Sequence, residues 1–97
     1  MPITLCVLLW PVAGHEQLLI DYEDQVLLLL PAHGARLLTR VRTKDAQEGE
    51  PLEVHVLEFP SEQALADYLD DPQRAALASV RERVITRTQL LRVEPVN

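Results

Sequence analysis

Four residues near the middle of the chain have the types and spacing for acid–base chemistry: Arg40 and Arg42 on one alternating stretch, Glu53 and His55 on the next. If the two stretches pair as an antiparallel hairpin, a register that sets Arg42 opposite Glu53 also sets Arg40 opposite His55. An imidazole between an arginine and a carboxylate suits a general base near neutral pH, and Arg40 could hold a developing oxyanion. The plainer alternative is a cross-strand ion pair, Arg42 with Glu53, beside a histidine that fills space.

A second group lies later in the chain. Tyr68 and Arg81 flank the break at Asp70-Asp71-Pro72, where diverging helix segments could open a cleft suited to a small carboxylate. The alternative is an arginine tying down the last carbonyls of the preceding segment. Trp10 shares the face assigned to Arg42, and Trp10, Arg42, Tyr68 and Arg81 are the candidate ligand contacts. His15 reads as a turn residue and His33 as a cation complementing a helix C-terminus. Asp21 and Tyr22 point to opposite sides of their helix, with Tyr22 in core or interface. The sequence calls for no metal and no cofactor: no second ligand stands at metal spacing from a histidine, and no Ser-His-Asp order, phosphate loop or nucleotide fingerprint is present.

Composition bounds the partners. The 97 residues carry a net charge of −6 and only 4% aromatic residues, which argues against a nucleic-acid platform. A local patch for a small anion remains open around Arg81, Arg83, Arg87 and Arg92. Cys6 is the only cysteine, so there is no internal disulfide, and its apolar run makes it a buried thiol. The N-terminus has no signal-peptide pattern and the apolar run stops at Pro11, so a soluble cytoplasmic protein with no membrane partner is expected. A 47% apolar fraction supports one domain, residues 1–97, with one Leu, Val and Ala core.

Hydrophobic periodicity places the elements that must carry these residues. Ile3 to Leu9 reads as a central strand. Gln17 to His33 reads as a helix with a stripe of Leu19, Tyr22, Val26, Leu29, Leu30 and His33; Pro31 should loosen its end and Gly34 supply the left-handed position after it. Ile20, Leu27 and Leu28 give this helix surplus apolar surface. Arg36 to Arg42 is the second strand, Thr43 to Pro51 a polar loop, and Leu52 to Phe59 the third strand. Ser61 caps a helix that breaks at Asp71-Pro72, resumes with Leu77, Val80 and Val84 inward, and leads to a last strand over Thr86 to Glu94.

The order βαββαβ predicts an α+β, ferredoxin-like antiparallel sheet with both helices on one face and the second helix split at Asp71-Pro72. Alternation assigns Ile3, Leu5, Val7, Leu9, Leu37, Val41, Val54 and Val56 to the helix side. It assigns Thr4, Cys6, Leu8, Trp10, Leu38, Arg40, Arg42, Glu53, His55, Leu57, Phe59, Gln89 and Leu91 to the other. That second face is too apolar for water, so a homodimer packed sheet to sheet is expected.

The chain resembles the dimeric α+β barrel superfamily, and within it a bacterial family of small proteins named only as a domain of unknown function. Asp21 and Tyr22, His33-Gly34-Ala35-Arg36, Leu57-Glu58-Phe59-Pro60-Ser61, Asp70-Asp71-Pro72-Gln73-Arg74 and Arg81 carry the resemblance, with Ala35 where a second glycine is common. The resemblance implies the fold and the dimer. The expected function is binding of a small organic molecule or anion, between the sheets or beside the split helix. The alternatives are a cofactor-independent enzyme, monooxygenase- or isomerase-like, acting on a small aromatic or lactone-like substrate with His55 and Arg40 as its catalytic pair, and a structural interaction module.

Overall fold

A computed structural model describes residues 1–96. The elements run β1 (Ile3–Pro11), α1 (Glu16–Val26), a 3₁₀ segment (Leu27–His33), β2 (Arg36–Arg42), β3 (Glu53–Phe59), α2 (Glu62–Leu69), α3 (Pro72–Ala75), α4 (Ala78–Val84) and β4 (Ile85–Val93). The strands form one antiparallel sheet in the order β2-β3-β1-β4, the ferredoxin-like arrangement. Among the described residues no helix is long and apolar enough to cross a membrane.

Local chemistry explains the breaks. Pro31 lacks an N–H, and the chain tightens to 3₁₀ geometry from Leu27 until Gly34 takes φ 68°. A side chain at Gly34 would also meet Pro60 Cγ at 3.3 Å, so the left-handed turn sits against the corner that starts the second helical region. That region has three pieces rather than two. Ser61 Oγ accepts from the Ala64 N–H at 3.1 Å and begins α2; Asp71 Oδ1 accepts from the Gln73 N–H at 2.8 Å and begins α3 with Pro72 in its first turn; a further turn at Ala76 and Leu77 separates α4.

The core lies between the helices and one face of the sheet. Leu5, Leu9, Leu57 and Phe59 from the strands meet Leu19, Tyr22, Val26 and Leu30 from α1 and its extension, and Leu65, Tyr68 and Val84 from the second helical region. Of the surplus leucines of the first helix, Leu27 packs on the core while Leu28 is exposed.

The third strand faces the opposite way from the alternation assignment. Its register sets Leu5 beside Leu57, Val7 beside His55 and Leu9 beside Glu53, so Glu53, His55, Leu57 and Phe59 point toward the helices. All four are buried, while Val54 and Val56 lie on the outer face with Cys6 and Leu8. The expected cross-strand partners do form, Arg40 with His55 and Arg42 with Glu53. A bulge at Leu38 reverses the parity of β2 midway, so Leu37 meets Leu57 on the inner side, Val41 faces outward beside Val54, and Arg40 and Arg42 join Glu53 on the helix side. The outer face keeps Thr4, Cys6, Leu8, Trp10, Gln89 and Leu91 as expected, and gains Val41, Val54, Val56 and Val93.

Candidate functional site

Burying Glu53 requires compensation, and the neighbouring strand supplies it. Arg40 donates Nε to Oε1 at 2.9 Å and Nη2 to Oε2 at 3.1 Å, while Arg42 donates Nε and Nη2 to Oε2 at 2.9 and 2.6 Å. Nε2 of His55 completes the set on Oε1 at 2.7 Å. Burial alone would raise the Glu53 carboxyl, but these bonds outweigh it and hold it at about 2. Glu53 is therefore a carboxylate that accepts from its neighbours, so Nε2 of His55 carries the proton and Nδ1 is the ring nitrogen left for other partners.

Arg40 is not placed to hold an oxyanion. Its Nη1 donates to Asp24 Oδ1 at 2.7 Å and its Nη2 also to the Ile20 carbonyl at 3.4 Å, which pins α1 to the sheet. Arg42 likewise spends its bonds on Glu53 and lies half-exposed at the sheet margin. Trp10 stands apart on the outer face, its Nε1–H bonded to the Gly49 carbonyl at 3.0 Å and its ring beneath Arg87 at 4.2 Å. Of the six candidate residues, the structure brings His55, Tyr68 and Arg81 together and leaves Arg40, Arg42 and Trp10 outside that group.

Those three line a cavity of about 160 Å³ between the helices and the sheet. Its walls are apolar, from Leu5, Leu57, Phe59 and Leu65 among others, and its polar groups are Tyr22, Glu23, His55, Tyr68, Arg74, Arg81 and Thr88. The exposed lining residues Leu69, Thr88 and Leu90 mark a mouth beside the break in the second helical region and the edge strand β4. The break is held in place from the other side. Asp71 Oδ2 meets Nε2 of His33 at 2.7 Å, which with the Gln73 N–H draws the Asp71 carboxyl below its usual range, and the His33 ring packs edge-on to Tyr68 at 5.7 Å.

Two buried polar atoms on residues that line this cavity have no partner among the described residues: Glu23 Oε2 and Arg74 Nε. Each is buried, and they do not satisfy one another. An unmet buried polar group costs about 1–3 kcal/mol, more where the group is charged, so the pair calls for partners that the described residues do not supply. Burial raises the Glu23 carboxyl to about 6, with Glu53 adding to the rise and His55, Arg40 and Arg81 opposing it. Burial also raises the Tyr22 and Tyr68 hydroxyls, which stay protonated as donors. The Arg74 guanidinium lies over the Tyr68 ring at 5.3 Å, and Arg81 donates Nη2 to Thr88 Oγ1 at 2.8 Å.

Glu23 and Arg74 are absent from the candidate site residues named in the sequence, Arg74 appearing there only within the run that carries the family resemblance. A signal for Glu23 exists: it lies four residues after Leu19 and three before Val26, the positions of a buried helix stripe, where a carboxylate is out of place. Arg74 has only its position just past the Asp71-Pro72 break. A second, wider depression of about 490 Å³ lies between α1 and α4, but its polar groups are satisfied or exposed: His15 Nδ1 bonds the Arg83 carbonyl at 2.8 Å, and Asp21 accepts from Gln17 at 3.0 Å. Among the described residues no three His, Cys, Asp or Glu side chains converge as a metal site.

Comparison with solved structures agrees with this architecture. A protein of unknown function from Rhodopseudomonas palustris matches with a TM-score of 0.78 at 16% identity, covering 99% of this chain and 83% of that one. A dabb family protein with a ferredoxin-like fold from Mesorhizobium loti matches with a TM-score of 0.70 at 17% identity, covering 99% and 98%. An uncharacterized NIPSNAP-like domain protein from Burkholderia xenovorans matches with a TM-score of 0.76 at 13% identity, covering 98% and 85%. At these identities the likeness concerns the fold alone. No curated protein matches the chain. The family model described as a domain of unknown function, DUF1330, matches residues 12–96, and the chain belongs to that family.

Proposed function

We propose that the protein is a cytoplasmic homodimer that binds a small organic molecule bearing a carboxylate or carbonyl group, in the cavity between helices and sheet beside the split helix. The observation that carries this is the pair of unmet polar atoms, Glu23 Oε2 and Arg74 Nε, on two residues that line one largely apolar cavity. A ligand with an acceptor for Arg74 and a hydrogen for Glu23 would satisfy both. At about 160 Å³ the space suits a benzene-sized molecule, since an apolar cavity of about 150 Å³ binds benzene. The second location expected from the sequence, between two sheets, has less in its favour, because the charged residues assigned to it face the helices instead.

The dimer rests on the outer sheet face. Val41, Leu91 and Val93 are exposed there, and Cys6, Leu8, Val54 and Val56 are half-buried around them, which makes a continuous apolar surface larger than scattered residues would. A second copy laid across it would bury the unpaired Cys6 thiol, a residue suited to a reducing compartment.

Heat-shift measurements with benzoate, 2-oxobutanoate and pentane-2,4-dione test the binding role. At least one compound is expected to raise the midpoint for the wild type and to lose that effect in Arg74→Met. Equal shifts in both proteins, or none in the wild type, would count against the site.

A further inference from the structure

We propose that this cavity is a site of proton transfer, in which the Glu23 carboxylate removes a proton from carbon beside a carbonyl group and Arg74 holds the enolate oxygen that forms. The inference rests on the binding role proposed above and assigns it a chemistry.

Enolisation needs two groups of opposite character at the two ends of one short fragment: an acceptor for the proton and a donor for the oxygen. Glu23, on α1, is 6% exposed and lines the cavity with its Oε2 unbonded; Arg74, on α3, lines it with its buried Nε–H unbonded. They reach the same space from different elements. Most of the cavity lining is apolar, and in such surroundings a guanidinium stabilises a developing oxyanion more than water would. Burial makes Glu23 more basic than an ordinary carboxylate, which matches it better to a weak carbon acid. Of the cavity's other charged groups, Arg81 is bonded to Thr88, and His55 presents its Nε2–H to Glu53.

The step balances without an added reagent. The C–H bonding pair becomes the carbon–carbon π bond, the carbonyl π pair moves to oxygen beside Arg74, and the proton resides on Glu23. Its return to oxygen yields the enol, and its return to a different carbon yields an isomer; no oxidant, reductant or cofactor is consumed. The substrate class is a small ketone, 1,3-dicarbonyl or 2-oxo acid of roughly benzene-like bulk.

Proton NMR in D₂O tests this with 2-oxobutanoate and pentane-2,4-dione as probes, binding being read in parallel by heat shift. The wild type is expected to speed exchange at the carbon beside the carbonyl at least tenfold over Glu23→Gln. Arg74→Met, expected to lose the heat shift and the exchange together, is the second variant should the Glu23 variant fail to fold. A probe that shifts the wild-type midpoint without faster exchange than either variant would overturn the proton transfer and leave the binding role standing. The absence of any shift would overturn both.

Discussion

Oε1 of Glu53 lies 2.7 Å from Nε2 of His55, two residues further along the same strand and on the same, helix-facing side of the sheet. With Arg40 and Arg42 closing round the carboxylate, a position that would otherwise exclude charge holds one. Glu53→Ala leaves the buried His55 imidazole without its acceptor and the part-buried Arg40 with only Asp24 and the Ile20 carbonyl. The expected loss is about 3–5 kcal/mol in urea unfolding, against about 1 kcal/mol or less for Arg42→Ala, whose side chain is half-exposed and whose removal leaves Glu53 two partners.

The two buried carboxyls should impose opposite pH dependences. Glu53 is depressed to about 2 from an ordinary 4.5, so its contribution is present above about pH 4.5 and is lost as pH falls toward 2, on the order of 3 kcal/mol in all. Glu23 is raised to about 6, so the folded state holds its proton more tightly than the unfolded chain does. Stability then falls as pH rises from about 4.5 through 6, by about 2 kcal/mol. Glu23→Gln should remove that second slope and be more stable than wild type at pH 7.5. Unfolding free energies for both proteins between pH 4 and 8 check the sign.

Gly34 is held at φ 68° against Pro60, at the turn that anchors both the end of the 3₁₀ segment and the start of α2. Gly34→Ala combines an unfavourable backbone region with a contact at 3.3 Å, and a loss of about 1–2 kcal/mol is expected by thermal unfolding. Gly14→Ala is the comparison. Its φ is also positive, at 84°, but no atom would meet the added methyl, so the loss should be smaller.

The outer face can be tested by charge. Val56→Arg places a guanidinium in the middle of the apolar sheet surface, beside Cys6, without touching the helix-side core. Wild-type protein is expected to sediment as a dimer at micromolar concentration and Val56→Arg as a monomer with an unchanged far-ultraviolet spectrum. A wild-type monomer would remove the case for self-association.

Element order, the limits of β2, the Ser61 cap and the break at Asp71-Pro72 were all legible in the sequence, because each follows from backbone chemistry local to a few residues; Pro31 was expected to loosen the last turn, and the chain instead tightens to 3₁₀ geometry there. The direction of β3 was not legible. Val54 and Val56 alternate with Glu53 and His55, and an apolar-inward rule turns the valines to the core; it fails because the adjacent strand neutralises the charged pair and the outer face is itself apolar. The extra residue at Leu38 is equally invisible to alternation, yet it brings Arg40 and Arg42 to Glu53. The pairing of Arg40 with His55 was foreseen while its surroundings were not. Tyr68 and Arg81 share a cavity as expected, and the groups with unmet bonds, Glu23 and Arg74, come from helical segments that only tertiary packing brings to one space.

The most direct test is a backbone amide NMR titration with 2-oxobutanoate. Binding in the helix-side cavity predicts shift changes concentrated at Glu23, His55, Tyr68 and Arg74, and their loss in Arg74→Met. Changes confined to Cys6, Val54, Val56 and Leu91 on the outer face, or a wild-type spectrum unaltered at millimolar ligand, would contradict it.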